Sequence, residues 1–211
     1  MTTRYVAVLS AGSPDLTPPP GVDPGEFRLA LLEDTYEVAA GMEHVVPALV
    51  LRPPAPPGAE AIIWPGTEIV REASPGAAFA ALHRLGAEQA AVVAGDAPDL
   101  PSLLIGKLFR ALEHAPAAVC PAEGGGLVAL AVRLSAPAWL LASGVDLDTP
   151  DAVERLRAAA PHPGQVQRGP GWHRLRAPAD LFFLDPGLEG WENTRALLEG
   201  NPLSALPTEG M

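Results

Sequence analysis

VVAGDAPDLP, residues 92–101, runs an apolar segment into two carboxylates, Asp96 and Asp99, with prolines at 98 and 101. A buried-looking strand that ends on Asp-Ala-Pro-Asp, not on a Gly-Asn turn, has two readings. Either the carboxylates close a turn and cap the next helix, or they face a pocket and hold positive charge. The segments on both sides bear on which reading applies.

Upstream, Ser74-Pro75 opens a helix that Gly86 ends, the pattern of a capping residue, a first-turn proline and a terminal glycine. Downstream, residues 101–114 (PSLLIGKLFRALEH) read as an amphipathic helix, and 117–121 as another short apolar run. Further out the alternation continues. Residues 5–9, 44–51, 61–64, 127–134 and 181–184 read as strands. Asp23-Pro24 and Thr149-Pro150 each open a helix with a cap and an early proline. Strands of about five apolar residues alternating with longer helices predict an α/β fold: a three-layer α/β/α sandwich, Rossmann-like, with a mostly parallel sheet. In such a sheet ligands sit beyond the carboxyl ends of the strands. Asp96, Asp99, the Gly12 loop and Gly124 to Gly126 would all lie at that edge, which favours the pocket reading.

The 211 residues predict one domain, 1–211, with 177–211 as a C-terminal extension. A hydrophobic fraction of 48% and a charged fraction of 18% are those of a globular chain. The 21 glycines and 25 prolines add many turns without low complexity. A net charge of −11 disfavours nucleic acid, since no local basic patch offsets it. The single cysteine, Cys120, rules out an internal disulfide, and its apolar run AAVCPA makes it a core residue. No apolar run reaches about 18 residues and no basic leader opens the chain, so a cytoplasmic protein without membrane association is expected.

GDAPDLP followed by CPAEGGGLVAL, with a helix and a short strand between them, resembles the glycosyltransferase-A-like nucleotide-diphospho-sugar transferase superfamily. The nearest likeness is to its small bacterial branch, where these stretches read G-x-D-x-P-D-L-P and G-P-A-x-D-G-G-Y. The likeness is strongest from about Glu60 to Leu134. It implies a metal-dependent nucleotidyl- or glycosyltransferase acting on a nucleotide or nucleotide-sugar. Asp96 would hold Mg2+ or Mn2+, Asp99 would support it, and Ala11, Gly12, Gly95, Gly124 and Gly125 would border the nucleotide. The cation would offset charge on the leaving phosphates.

The departures point the other way. The first loop of the family carries a basic phosphate grip, whereas no lysine or arginine stands between Arg4 and Arg28 here. Asp15 and Asp23 add repulsion in its place. The family's Asp-Gly-Gly is Gly124-Gly125-Gly126, with Glu123 one place earlier as a substitute. Two stretches compete for the family's late Asp-x-Asp-Thr-Pro-x-Asp signature. Val145 to Asp151 fits the letters, whereas Arg174 to Asp180 fits the spacing but has lost the carboxylates. Spacing favours the second and leaves Asp146 to Asp151 as a helix cap. The alternative function is therefore a catalytically degenerate binding or interaction protein on the same fold. Trp172-His173-Arg174 is read as a docked edge segment or as a base-stacking, phosphate-gripping element. The five histidines show no metal-ligand spacing.

Overall fold

The apolar run Tyr5 to Leu9 becomes the hub of the sheet. In the computed structural model, which describes residues 2–10 and 18–199, the strands are β1 (Arg4–Leu9), β2 (Val46–Leu51), β3 (Glu68–Arg71), β4 (Gln89–Ala94), β5 (Ala117–Pro121), β6 (Leu127–Arg133) and β7 (Val166–Arg168). They form one sheet in the order β3-β2-β1-β4-β6-β5-β7. β1 pairs in parallel with β2 and β4, and β6 alone runs antiparallel, against β4 and β5. The helices are α1 (Pro24–Ala40), α2 (Pro75–Arg84), α3 (Ser102–Ala111), α4 (Ala138–Ala142), α5 (Ala152–Ala159) and α6 (Glu192–Glu199).

Period-2 alternation divides each central strand between two apolar layers. Ala7, Leu9 and Val92 pack with Phe79 and Leu82 of α2 and Leu156 of α5. Val6, Val8 and Val93 pack with Leu32 and Tyr36 of α1 and Leu108 of α3. Burying each of the larger side chains contributes about 1.5–3 kcal/mol. A third cluster holds the C-terminal part of the chain on α1: Phe27 and Leu31 meet Leu175, Leu181, Leu184, Trp191 and Leu198.

Two of the three caps fall where the sequence placed them; Thr149 does not cap α5, since its hydroxyl accepts from the Asp146 amide at 3.0 Å and the helix starts at Ala152 after Asp151. The Asp23 carboxylate accepts from the Gly25 and Glu26 amides, and the Ser74 hydroxyl accepts from Ala77. Two strand expectations are corrected. Residues 61–64 are turns, because the Ala61 amide donates to Gly58 and the Trp64 amide to the Tyr36 hydroxyl, leaving no ladder to join. The strand on that edge is β3. Residues 181–184 are not a strand; 178–183 wind into a 3-10 helix, whose start is fixed by Asp180 accepting from the Arg176 and Ala177 amides. β7 and α4 were not foreseen. Among the described residues no helix is long and apolar enough to cross a membrane.

Candidate functional site at the strand ends

β1, β2 and β4 end side by side, delivering Ser10, Arg52 and Gly95-Asp96 to one edge. The Gly95 amide donates to the Leu9 carbonyl at 2.9 Å. A side chain at 95 would meet Leu32 at 2.6 Å and the Leu9 carbonyl at 2.8 Å. This glycine is thus required by the approach of β4 to β1. Ala11 and Gly12 lie outside the described residues.

Asp96 and Asp99 are both buried, at 1% and 3% exposure, yet neither is a cap. α3 begins after Pro101 without any side-chain cap. The carboxylates instead face the segment 169–175, which crosses the sheet edge. That segment is tied down by Gly169 to Val119, Trp172 to Pro121, Glu123 to Trp172 and Leu175 to Asp96, all backbone hydrogen bonds. Trp172-His173-Arg174 is therefore the docked edge segment, and it covers both carboxylates. Asp99 accepts from Trp172 Nε1 at 3.2 Å and sits 2.9 Å from His173 Nε2.

Arg174 carries the stronger interaction. It grips Asp96 bidentately, Nε to Oδ1 at 2.5 Å and Nη2 to Oδ2 at 2.8 Å. Nη2 also reaches Asp148 at 2.8 Å, and Nη1 donates to the Leu127 and Leu147 carbonyls at 3.1 and 3.2 Å. A guanidinium has five N–H donors. All five are satisfied here, although the residue is only 4% exposed. Burial works against its charge, but Asp96 and Asp148 more than offset that and hold it above its usual range.

Asp148 links outward to Arg52, whose Nη2 also binds both oxygens of Asp146 at 2.7 and 2.9 Å. The result is a chain of alternating charges: Asp96, Arg174, Asp148, Arg52, Asp146. The two stretches that competed for one signature thus meet in space. Asp146 to Asp151 is more than a helix cap, since Asp146 and Asp148 pair with arginines and the Asp151 side chain makes no cap bond to α5. Arg52 escaped the sequence reading; its position directly after an apolar strand, like that of Asp96 after β4, was the available signal.

This donor set does not fit a divalent cation at Asp96. Both oxygens of that carboxylate are held by a guanidinium, and a cation would have to expel Arg174 from five hydrogen bonds or share its place against like charge. A different carboxylate group that could hold a metal ion, Asp34, Glu37 and Glu192, has its ligand oxygens within 4.8 Å of one another. There Asp34 already accepts from the Asn193 and Thr194 amides at the start of α6.

Of the glycines in the 124–126 turn, Gly124 lines open space. Gly125 and Gly126 have φ of 104° and 78° and press on Pro150 and Leu147. The cavity beside Gly124, about 330 Å³, is walled by Glu123, His173, Arg176, Asp180 and Phe183.

Known structures share this arrangement of elements. A protein from Desulfovibrio desulfuricans G20, described as a candidate nucleotide-diphospho-sugar transferase, superposes with a TM-score of 0.67 at 18% identity, over 95% of this chain and 98% of its own. The fold is that of the nucleotide-diphospho-sugar transferases. The 4-diphosphocytidyl-2C-methyl-D-erythritol synthase of Anaerococcus prevotii DSM 20548 follows the same transferase fold, with a TM-score of 0.58 at 14% identity over 93% and 96% of the two chains. CMP:2-keto-3-deoxy-manno-octonic acid synthetase, solved with CTP, gives 0.52 at 14% identity over 94% and 98%. A family model described as "Uncharacterized protein conserved in bacteria (DUF2064)" matches residues 73–146, the span that contains GDAPDLP and the glycine turn. No curated protein matches the sequence. The resemblance read from the sequence is thus matched at the level of the fold.

Proposed function

We propose that this chain binds a nucleotide or nucleotide-sugar on the transferase fold without a divalent cation at Asp96. The observation that supports this reading is the Asp96–Arg174 pair: the carboxylate that would hold the metal is saturated by a buried arginine from the chain itself. Binding would use the edge above β1, β2 and β4, the usual place for ligands in an open α/β sheet. The sequence of the first loop supports the same view, since no basic residue between Arg4 and Arg28 is present to grip a metal-bound triphosphate.

A thermal-shift and calorimetry panel of nucleoside diphosphates, triphosphates and nucleotide-sugars tests the reading. Each is run in EDTA and again with Mn2+ or Mg2+, and product formation is followed alongside. The expected result is that at least one nucleotide ligand binds in EDTA, with no gain on adding metal. Binding or turnover that appears only with metal would restore the metal-dependent transferase reading. Silence from every ligand in both conditions would remove the nucleotide reading altogether.

A further inference from the structure

Three carboxylates meet where α6 packs on α1. Asp34, Glu37 and Glu192 each bring an oxygen within 4.8 Å of the others, and none joins an ion pair among the described residues. Their burial is graded: Asp34 has no exposed surface, Glu37 is half-buried and Glu192 is exposed. Asp34 lies on the face of α1 opposite Leu32 and Tyr36, which pack on the sheet, and the first turn of α6 covers it. The basic residue closest in sequence to Glu192, Arg195, is engaged elsewhere. Its guanidinium stands 4.4 Å from the centre of the Trp191 ring and donates to the Pro186 and Leu188 carbonyls.

The polar atoms buried here are incompletely satisfied. A carboxylate offers about four lone-pair positions. Asp34 fills two through Oδ1, from the Asn193 amide and Nδ2, and one through Oδ2, from the Thr194 amide at 2.8 Å. One position on Oδ2 stays open. The Thr194 hydroxyl, on a residue with no exposed surface, makes no hydrogen bond of normal geometry. It nevertheless faces Asp34 closely enough to pull that carboxyl down against the upward effect of burial. A buried hydroxyl without a partner costs stability, and its oxygen is a ligand for a hard cation. The Glu37 carboxylate has no hydrogen-bond partner among the described residues and borders an open cavity of about 360 Å³, which gives a hydrated ion a way in.

We propose that Asp34, Glu37, Glu192 and the Thr194 hydroxyl form a calcium site that clamps α6 onto α1. Oxygens on opposite sides of a Ca2+ ion stand about 4.6–5.2 Å apart, so one ion bridges donors spread as these are. Mg2+ draws opposite donors to about 4.2 Å and keeps most of its water, which suits one or two carboxylates better than three. Water from the cavity would complete the shell of six to eight oxygens usual for Ca2+. The site stands apart from Asp96 and the strand-end edge, and its occupancy does not depend on whether a nucleotide binds there.

Calorimetric titration of the full chain with CaCl2, in about 0.15 M salt to screen diffuse attraction, decides the matter. Saturable one-to-one binding is expected, with Mg2+ at least about tenfold weaker. Glu37→Gln should weaken Ca2+ at least about tenfold, since ligand charge sets affinity at such sites. Thr194→Val removes a ligand at constant charge and should also weaken it. Glu33→Gln, beside Asp34, removes a charge but no ligand and should leave the affinity within about twofold. Melting curves add a signature that a purely structural role for Glu37 would not give. In EDTA Glu37→Gln should melt above the wild type, because one repelling carboxylate is gone, whereas Ca2+ should raise the wild type alone. No saturable Ca2+ binding by the wild type overturns the proposal, as does unchanged affinity in Glu37→Gln. Equal losses in Glu33→Gln and Glu37→Gln would also overturn it, by reducing the group to a diffuse acidic surface. A melting rise with metal alone reports this site; a change in nucleotide affinity reports the strand-end edge.

Discussion

Arg174→Ala is the substitution with the largest expected effect. It removes the partner of a carboxylate that is 1% exposed and strips two backbone carbonyls, Leu127 and Leu147, of their donor. Removing one half of a buried ion pair costs about 3–5 kcal/mol, because the other charge is left uncompensated. In a chain of this length each kcal/mol moves the melting temperature by about 2–4 °C. The expected fall is therefore about 6–20 °C at neutral pH, read by calorimetry or circular dichroism. Asp96→Leu combined with Arg174→Ala should be less damaging than the sum of the two single changes, since the stranded charge is gone. Arg174→Ala alone should create what the wild type lacks. With the guanidinium removed, Asp96 and Asp148 face one gap, and Mn2+ at about 100 times its dissociation constant would return about 2.7 kcal/mol. The metal arm is run in a Glu37→Gln background, so that the Asp34, Glu37 and Glu192 group does not contribute. A loss below about 1 kcal/mol for Arg174→Ala would refute the ion-pair argument. Mn2+ stabilising the Arg174-containing chain as strongly as the variant would refute the claim that arginine excludes the metal.

Glu37→Gln should raise the melting temperature at pH 7. Burial, then Asp34, Glu33 and Glu192, holds the Glu37 carboxyl above its ordinary value, so the folded chain takes up this proton more readily than the unfolded one. Its handicap is full above the folded pKa and fades as pH falls towards about 4, so the advantage of the variant should shrink over the same range. A gain that is independent of pH would assign the effect to packing. Cys120, with its thiol donating to the Pro170 carbonyl at 3.1 Å and pushed up to about 12 by burial, should resist alkylation at pH 8 in the folded chain and react on unfolding. Rapid native labelling would show that β5 opens locally.

Much of the fold was legible because its signals are local. Apolar runs at 5–9, 90–94 and 117–121 specify buried strands, and Asp23-Pro24 and Ser74-Pro75 specify helix starts, through backbone geometry and capping that act within a few residues. Residues 61–64 and 181–184 misled for the converse reason. Their apolar letters suit a strand, but the Tyr36 hydroxyl and the Asp180 carboxylate claim backbone amides there or just upstream and impose turns. β7 is three residues long, too short to show a period.

The candidate site divides in the same way. That Asp96 and Asp99 end a strand, that the basic loop is missing and that Arg174 stands where a carboxylate was expected are all facts of the sequence. That Arg174 folds back onto Asp96, 78 positions away, and draws in Asp148 and through it Arg52, was decided only by the tertiary structure. A carboxylate at a strand end attracts whichever cation the fold brings closest, metal or guanidinium. Local sequence specifies the charge; the path of the 169–175 segment across the sheet determines which partner arrives.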